Sequence, residues 1–281
     1  MKRKILVLGA GGMLGSMLFR YLSEKIDFHT IGTLSKNEGE MIPFLVDFTF
    51  RKQIQTIVSQ IKPDYIINCI GYIRPNKSYT SFKNALLINA IMPKYLSEYC
   101  LLNNIRFIHI STDCVFSGNK GNYSDTDLPD ESSIYGITKY LGEACKPPNI
   151  TLRTSIVGRE DKSTKNLLEW FIKTKEEVID GYSKVLWNGV TTLTLSKIIY
   201  RIIKKEIYFN KPLIQIASAP MSKYHLLHIF REVYNKKITI KKNASIKSNK
   251  TLLASKEQEK YFSDIIAPLD VQLYELREYL N

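Results

Sequence analysis

The chain has no apolar run approaching the ~18 residues that a membrane-crossing helix needs, so a helical membrane protein is not expected. Cysteine is scarce: Cys69, Cys100, Cys114 and Cys145 are scattered over 281 residues. None forms a C-x-x-C pair or a Cys/His spacing, so neither a zinc site nor a disulfide framework is expected. Reduced thiols in a cytoplasmic protein are the simplest reading. Acidic residues are in deficit, with 27 Asp and Glu against 40 Lys and Arg, a formal net charge of +13. Such an excess suits nucleic acid, an acidic membrane or a polyanionic small molecule. Much of it sits in Lys236-Lys237 and in 241–250, without the interleaved aromatics of a single-strand platform. No helix-turn-helix or zinc-finger pattern is present, so neither nucleic acid nor a membrane is expected as partner. Internal repeats and low-complexity linkers are also missing.

What is present is ordinary for a globular protein with a sizeable core, 44% hydrophobic and 24% charged. The length allows one large domain or two closely joined ones. The start, Met1-Lys2-Arg3-Lys4 before Ile5-Leu6-Val7-Leu8, mimics a signal peptide, but glycines interrupt the apolar run at Gly9, Gly11, Gly12 and Gly15. These glycines separate a buried strand, Lys4 to Leu8, from a helix marked by Met13, Leu14, Met17, Leu18 and Tyr21. That is the context a dinucleotide fingerprint requires. Gly9 permits the turn, Gly12 lets a pyrophosphate approach the helix N-terminus, and Gly15 allows close helix–strand packing. The spacing is G-x-x-G-x-x-G. Past the second strand, Phe28 to Gly32, an NAD site usually carries a carboxylate. Here the stretch reads Thr33-Leu34-Ser35-Lys36, with no carboxylate before Glu38. Hydroxyls and a lysine suit a 2′-phosphate, so NADP(H) is favoured over NAD(H), although Lys36 could equally be solvated.

Strands continue at Phe44 to Val46, Tyr65 to Ile70, Ile105 to Ile110 and Ile150 to Arg153, with helices between them. Asp47, beside Phe48, could accept from an adenine amino group or cap the helix Arg51 to Ile61. Tyr79 to Cys100 reads as helical with a break or kink at Pro93, and Asn89 within it suggests a buried hydrogen-bonding role or plain core packing. The order βαβαβαβαβαβ predicts an α/β fold, a Rossmann-type doubly wound parallel sheet whose C-terminal strand ends form the ligand crevice. Asn68 to Ile73 and Ser111-Thr112-Asp113 should line it. Beyond residue 155 the pattern is less regular. Helices are expected at Lys165 to Lys175, Leu193 to Ile203, Ser222 to Tyr234 and Leu269 to Leu280, and strands at Leu213 to Ala217 and Lys237 to Lys241. Residues 1–158 plus about 187–217 would form the NADP-binding domain. Residues 159–186 and 218–281 would form a smaller, interleaved C-terminal α/β substrate domain.

Tyr135 and Lys139 are four residues apart in Ser133-Ile134-Tyr135-Gly136-Ile137-Thr138-Lys139, which puts them on one helix face. A phenol titrates near ~10 and serves as an acid–base group at neutral pH only if a cation stabilises its phenolate. With 17 tyrosines in a Lys-rich chain the spacing alone says little. The glycine turn, Ser111-Thr112-Asp113 and Tyr135-x-x-x-Lys139 together resemble the extended short-chain dehydrogenase/reductases. Ser111-Thr112-Asp113-Cys114-Val115-Phe116-Ser117-Gly118, Gly142-Glu143, Leu152-Arg153-Thr154-Ser155 and Asn89-Ala90 with Pro93 are similar to the dTDP-4-dehydrorhamnose reductases. The resemblance is strong over residues 4–158 and diffuse afterwards.

The resemblance implies that Tyr135 donates a proton to a substrate carbonyl, Thr112 hydrogen-bonds the same oxygen, and Lys139 lowers the tyrosine pKa and binds the nicotinamide ribose. It implies cofactor contacts at Gly9, Gly11, Gly12, Met13, Leu14, Gly15, Thr33, Ser35, Lys36, Asp47, Phe48, Cys69, Ile70, Gly71 and Asn89. Substrate contacts are implied at Tyr72, Ile73, Arg74, Thr112, Asp113, Cys114, Ile156, Trp187 and Asn188. The implied reaction is reduction of a nucleotide-linked 4-keto-6-deoxy sugar, without a metal, by a possible homodimer. Two departures bear on the sugar pocket: Ile156 stands where the family carries tryptophan, and Cys114 where it carries tyrosine. Sugar-nucleotide dehydratases usually carry Asp-Glu after the threonine, and Asp113-Cys114 lacks that glutamate. An epimerase or dehydratase on the same scaffold is one alternative. The other is a non-catalytic NADP-binding subunit, like the similar β-subunit of methionine adenosyltransferase.

Overall fold

The computed structural model describes residues 2–35, 44–73, 75–143, 145–160 and 166–281. Strands and helices alternate through the first half: β1 (Arg3–Leu8), α1 (Met13–Ser23), β2 (Phe28–Leu34), β3 (Phe44–Leu45), α2 (Arg51–Ile61), β4 (Tyr65–Asn68), α3 (Tyr79–Leu86), α4 (Met92–Leu102), β5 (Arg106–Thr112), α5 (Ile134–Leu141) and β6 (Ile150–Thr154). The second half adds β7 (Ile156–Val157), α6 (Leu167–Lys173), β8 (Val178–Trp187), β9 (Val190–Thr191), α7 (Thr192–Lys204), β10 (Leu213–Gln215), β11 (Met221–Ser222), α8 (Lys223–Val233), β12 (Thr239–Asn249), α9 (Lys256–Phe262) and α10 (Leu269–Leu280).

Seven strands form one parallel sheet in the order β10-β6-β5-β4-β1-β2-β3. Its inner strands are continuous apolar runs because helices cover both faces. Ile5 to Leu8 and all of β4 are buried. On one face Leu14, Leu18 and Leu22 of α1 meet Ile198, Ile199 and Ile202 of α7. On the other, Ile54 and Val58 of α2 meet Leu96 and Cys100 of α4. The order reverses at β1 and β4, and this places the crevice over their carboxyl ends. A second apolar cluster joins α6, β8, α8 and α10 through Leu168, Phe171, Trp187, Phe230 and Leu273.

The tertiary structure departs from the sequence reading mainly in this second half. β8, not expected from the sequence, pairs with β11 and, in parallel, with β12. β8 contains Asp180, Gly181 and Lys184 and has no clean apolar alternation, so pairing rather than propensity makes it a strand. β12 begins two residues later than the expected Lys237 to Lys241 and runs on to Asn249, because the β8 backbone continues to satisfy it. The helix predicted from Tyr79 to Cys100 does not break at Pro93. A π turn, Leu87–Ile91, joins α3 to α4 without interruption, and Pro93 follows it as the second residue of α4. α9 was also unexpected. At seven residues it is too short to show a period, and Gln258 ties it to both backbone groups of Ala217.

A buried ion pair fastens the end of α5 to the sheet. The Arg153 Nη2 donates to Glu143 Oε2 at 2.5 Å and its Nε to Oε1 at 2.9 Å, with the two side chains 2% and 5% exposed. Ser111 also donates to Glu143, and Arg153 Nη1 donates to Gln215 on β10. Removing one partner strands the other as a buried charge. Arg153→Met is expected to lower unfolding free energy by about 3–5 kcal/mol, read as the shift of a urea transition.

Candidate active site

The glycine turn is built around Gly9, whose φ of +80° favours glycine. Its N–H donates to Thr33 Oγ1 at 3.2 Å, and Ala10 N–H donates to the Thr33 carbonyl at 2.9 Å. A Cβ at Gly15 would lie 2.0 Å from the Gly9 carbonyl oxygen, so only glycine lets α1 start this close to β1. Gly12 precedes α1, where no side chain caps the helix and the first turn carries no acid. Bare amide N–H groups at an open helix start, with Gly11 and Gly12 exposed, fit the diphosphate of a dinucleotide. Met13 is half-buried at the mouth, and Leu14 belongs to the core.

The remaining residues expected to hold the cofactor divide in two. Cys69 and Ile70 pack directly on the turn: a Cβ at Gly9 would lie 2.6 Å from Ile70 Cγ1. Gly71 follows them, and Ser35 is exposed at the end of β2. Lys36 and Arg74 lie outside the described residues. Asp47 is exposed and accepts from the Thr49 N–H and hydroxyl instead of capping α2, whose N-cap is Phe50. Phe48 is buried with Val46 and Ile54. Asn89 is fully buried, and its amide clamps the Tyr72 N–H and carbonyl and reaches Thr138 of α5. Its side chain therefore positions the loop and α5. Ile73 is exposed.

Ser133 caps α5 by accepting from the Gly136 N–H, so the helix begins one residue before Tyr135. Thr112, at the end of β5, faces the Tyr135 phenol, accepts from the Cys114 N–H and donates to Asp113 Oδ1. Burial, with smaller contributions from Cys114 and Asp113, holds the Tyr135 phenol above its ordinary range; Thr112 opposes them. Lys139 is buried, and its Nζ donates to the Ile110 carbonyl at 2.7 Å and lies 3.5 Å from His109 Nε2. Desolvation brings Lys139 down to about 8, with Glu143 and Cys69 opposing. The expected lowering of the tyrosine by the lysine is not what acts here, because the amine is tied to the floor of the site and the phenol is governed by burial. The Cys69 thiol, under Lys139 and beside the glycine turn, is pushed up to about 12 by burial.

On the substrate side Asp113 is buried and raised by desolvation, facing Lys223, Ser155 and Lys250. Ser155 accepts from Trp187 Nε1 at 2.7 Å. Lys223, the first residue of α8, lies 4.7 Å above the Trp187 ring and is lowered by desolvation to about 8. Met13, Ile156, Trp187 and Lys223 share a cavity of about 30 Å³, which joins the glycine turn to the substrate side. The Cys114 thiol points to Asp113 Oδ1 at 3.6 Å and is pushed up to about 12, mainly by burial. Asn188 does not join this group: its side chain is spent on the Leu252 N–H and carbonyl. Sequence reasoning missed Ser155, Lys223, Lys250 and His109. Ser155 lies in the Leu152–Ser155 motif, but nothing in the chain order brings the lysines to this cleft. Among the described residues no cluster of three His, Cys, Asp or Glu could hold a metal, and no helix is long and apolar enough to cross a membrane.

A parallel sheet with a glycine turn at its switch point and a Thr/Tyr/Lys group over the strand ends defines a Rossmann-type α/β protein of the short-chain dehydrogenase/reductase kind. Residues 3–179 match the RmlD substrate binding domain, and the chain belongs to that family. It is 32% identical over 157 residues to the dTDP-4-dehydrorhamnose reductase of Aggregatibacter actinomycetemcomitans, 54% of this chain and 51% of that one. It is 26% identical over 141 residues to methionine adenosyltransferase 2 subunit beta of Xenopus tropicalis, covering 50% and 42%. The chain spans about half the length of the curated relatives it matches. The crystal structure of dTDP-4-dehydrorhamnose reductase from Bacillus anthracis str. Ames in complex with NADP superposes with a TM-score of 0.84 over 100% of both chains at 21% identity.

Folding carries Lys139 from 10.5 down to about 8. Between those values the native protein binds fewer protons than the unfolded chain, so this contribution makes stability rise with pH; below 8 the full desolvation cost is present. Urea transitions are therefore expected to show wild type gaining about 1–3 kcal/mol on Lys139→Met between pH 7.5 and pH 10. A constant difference would mean that the lysine does not titrate there.

Proposed function

We propose that the protein is an NADP(H)-dependent reductase of a nucleotide-linked 4-keto-6-deoxy sugar, acting in the cytoplasm in polysaccharide precursor synthesis. The observation that carries this reading is the convergence of Thr112, Tyr135 and Lys139 beside the turn of Gly9 to Gly15. The glycine turn and the start of α1 would hold the diphosphate, and the exposed Ser35 at the end of β2 would offer its hydroxyl to a 2′-phosphate. When bound, NADPH supplies the hydride to C4 of the sugar. Tyr135, kept as a neutral phenol by its burial, gives its proton to the carbonyl oxygen. Thr112 donates a hydrogen bond to that oxygen, and Lys139 in its charged form steadies the phenolate left behind. Lys223 offers the cleft a cation for a sugar nucleotide, while Lys250 beside it is paired with Glu131 at 2.8 Å. Similarity to the Bacillus anthracis and Aggregatibacter proteins supports the same substrate class.

Purified protein is expected to oxidise NADPH with an enzymatically generated dTDP-4-keto-6-deoxy sugar. Tyr135→Phe should lower turnover at least ~10³-fold, with NADPH affinity changed only a few-fold. Near-normal turnover by that variant would sink the assignment. A second reading, a non-catalytic NADP-binding subunit, draws on the similarity to the methionine adenosyltransferase subunit. It predicts cofactor binding without turnover and a copurifying enzyme.

The adjacent helices α3 and α5 expose Tyr79, Phe82, Ile137 and Tyr140. We assign this apolar face to contact with a second copy, giving a homodimer. Light scattering is expected to give twice the chain mass, falling to a single mass in Phe82→Glu/Tyr140→Glu.

A further inference from the structure

One fully buried titratable side chain, His109 on β5, has no part in the chemistry above. We propose that His109, clamped by Asn68, is the positioning residue that biases the charge on Lys139: it presents an N–H to the lysine nitrogen and so favours the hydrogen-bond-accepting amine over the ammonium. The inference deepens the reductase reading, since it concerns the lysine that reading makes catalytic.

The tautomer follows from the hydrogen-bond network. Asn68 Oδ1 accepts from the Ile70 N–H at 3.0 Å, which fixes the orientation of the amide. Its Nδ2, a donor only, therefore faces His109 Nδ1 at 3.1 Å. That ring nitrogen must carry the lone pair, so the proton of the neutral ring is on Nε2. An imidazolium would set N–H against N–H at the Asn68 contact. Nε2 in turn lies 3.5 Å from Lys139 Nζ, which already donates to the Ile110 carbonyl at 2.7 Å. An ammonium would present a third donor to the ring N–H, whereas an amine presents its lone pair.

The other groups facing Lys139 do not reverse this. Glu143, just past the end of α5, is committed to Arg153 and Ser111. Cys69, from the end of β4, is a neutral thiol. Tyr135, one turn earlier on α5, is a neutral phenol. Among the described residues the ring that stacks on His109 is the uncharged Phe107. Burial lowers His109 well below its usual range, with Lys139 acting in the same direction. Charging the lysine takes one proton from solvent and turns a donor against the His109 N–H, with the Ile110 carbonyl as the acceptor that remains.

The test uses the full chain without ligand. Long-range ¹H–¹⁵N spectra of histidine-labelled protein are expected to show His109 as the neutral Nε2–H tautomer from pH 6 to pH 9. In His109→Gln the side-chain carbonyl can turn toward Lys139 and accept from an ammonium. The Lys139 titration, followed by lysine ¹³Cε and assigned with Lys139→Met, should then move up by about one pH unit or more. An active enzyme should show the same displacement in its kcat/KM profile. An Nδ1–H or doubly protonated ring at pH 7, or a Lys139 titration unmoved in His109→Gln, overturns the proposal. If that variant does not fold, the wild-type tautomer decides alone. Neither spectrum needs substrate, so absence of reductase turnover would remove the functional reading while leaving this inference standing, and the reverse also holds.

Discussion

The pair of Arg153 and Glu143 ties the helix that carries Tyr135 and Lys139 to three strands of the sheet. Glu143 follows α5, Arg153 lies on β6, Ser111 on β5 and Gln215 on β10, and all four side chains meet in one buried hydrogen-bond network. Phe116 stacks under the guanidinium, which lies 4.9 Å from the ring centroid. Gln215 extends the network to the Tyr123 and Leu253 carbonyls, and so to the C-terminal third of the chain. An ion pair this dry does not earn its place by net stability, because taking both charges out of water costs about as much as their attraction returns. What it provides is direction. A planar fork that must meet one carboxylate and one amide admits a single placement of α5 over the strand ends.

That placement determines the electrostatics of the site. Tyr135 and Lys139 are both withdrawn from water, and burial moves each toward its neutral form: the phenol is raised and the ammonium lowered. Asp113 and Lys223 repeat the pattern on the substrate side. Both lysines come down to about 8, so they keep most of their charge at neutral pH but release a proton far more readily than an exposed lysine does.

The nucleotide-binding half was legible in the sequence because its signals are local. Gly9, Gly12 and Gly15 stand at fixed offsets between a strand and a helix, and the apolar runs of β1 and β4 need no partner to be recognised. Tyr135 and Lys139 share a face by helical period alone. The role of Asn89 was legible in kind, a buried hydrogen bonder, but not in target, since Tyr72 and Thr138 are brought to it by the loop after β4 and by α5. Asn188 looked like a substrate ligand by its position in a motif, yet the fold spends it on the Leu252 backbone.

The chain order alone determined the doubly wound sheet, the glycine turn and the helix that carries the tyrosine and the lysine, because each rests on periodicity or spacing within a few dozen residues. Only the tertiary structure decided which charges face one another. β8 and β12 exist because they pair with each other. Lys223 and Lys250 reach Asp113 from more than a hundred residues away, and His109 meets Lys139 across the gap between β5 and α5. Such contacts depend on how layers pack, and the free energy of a buried charge depends on those neighbours rather than on the residues next to it in the chain.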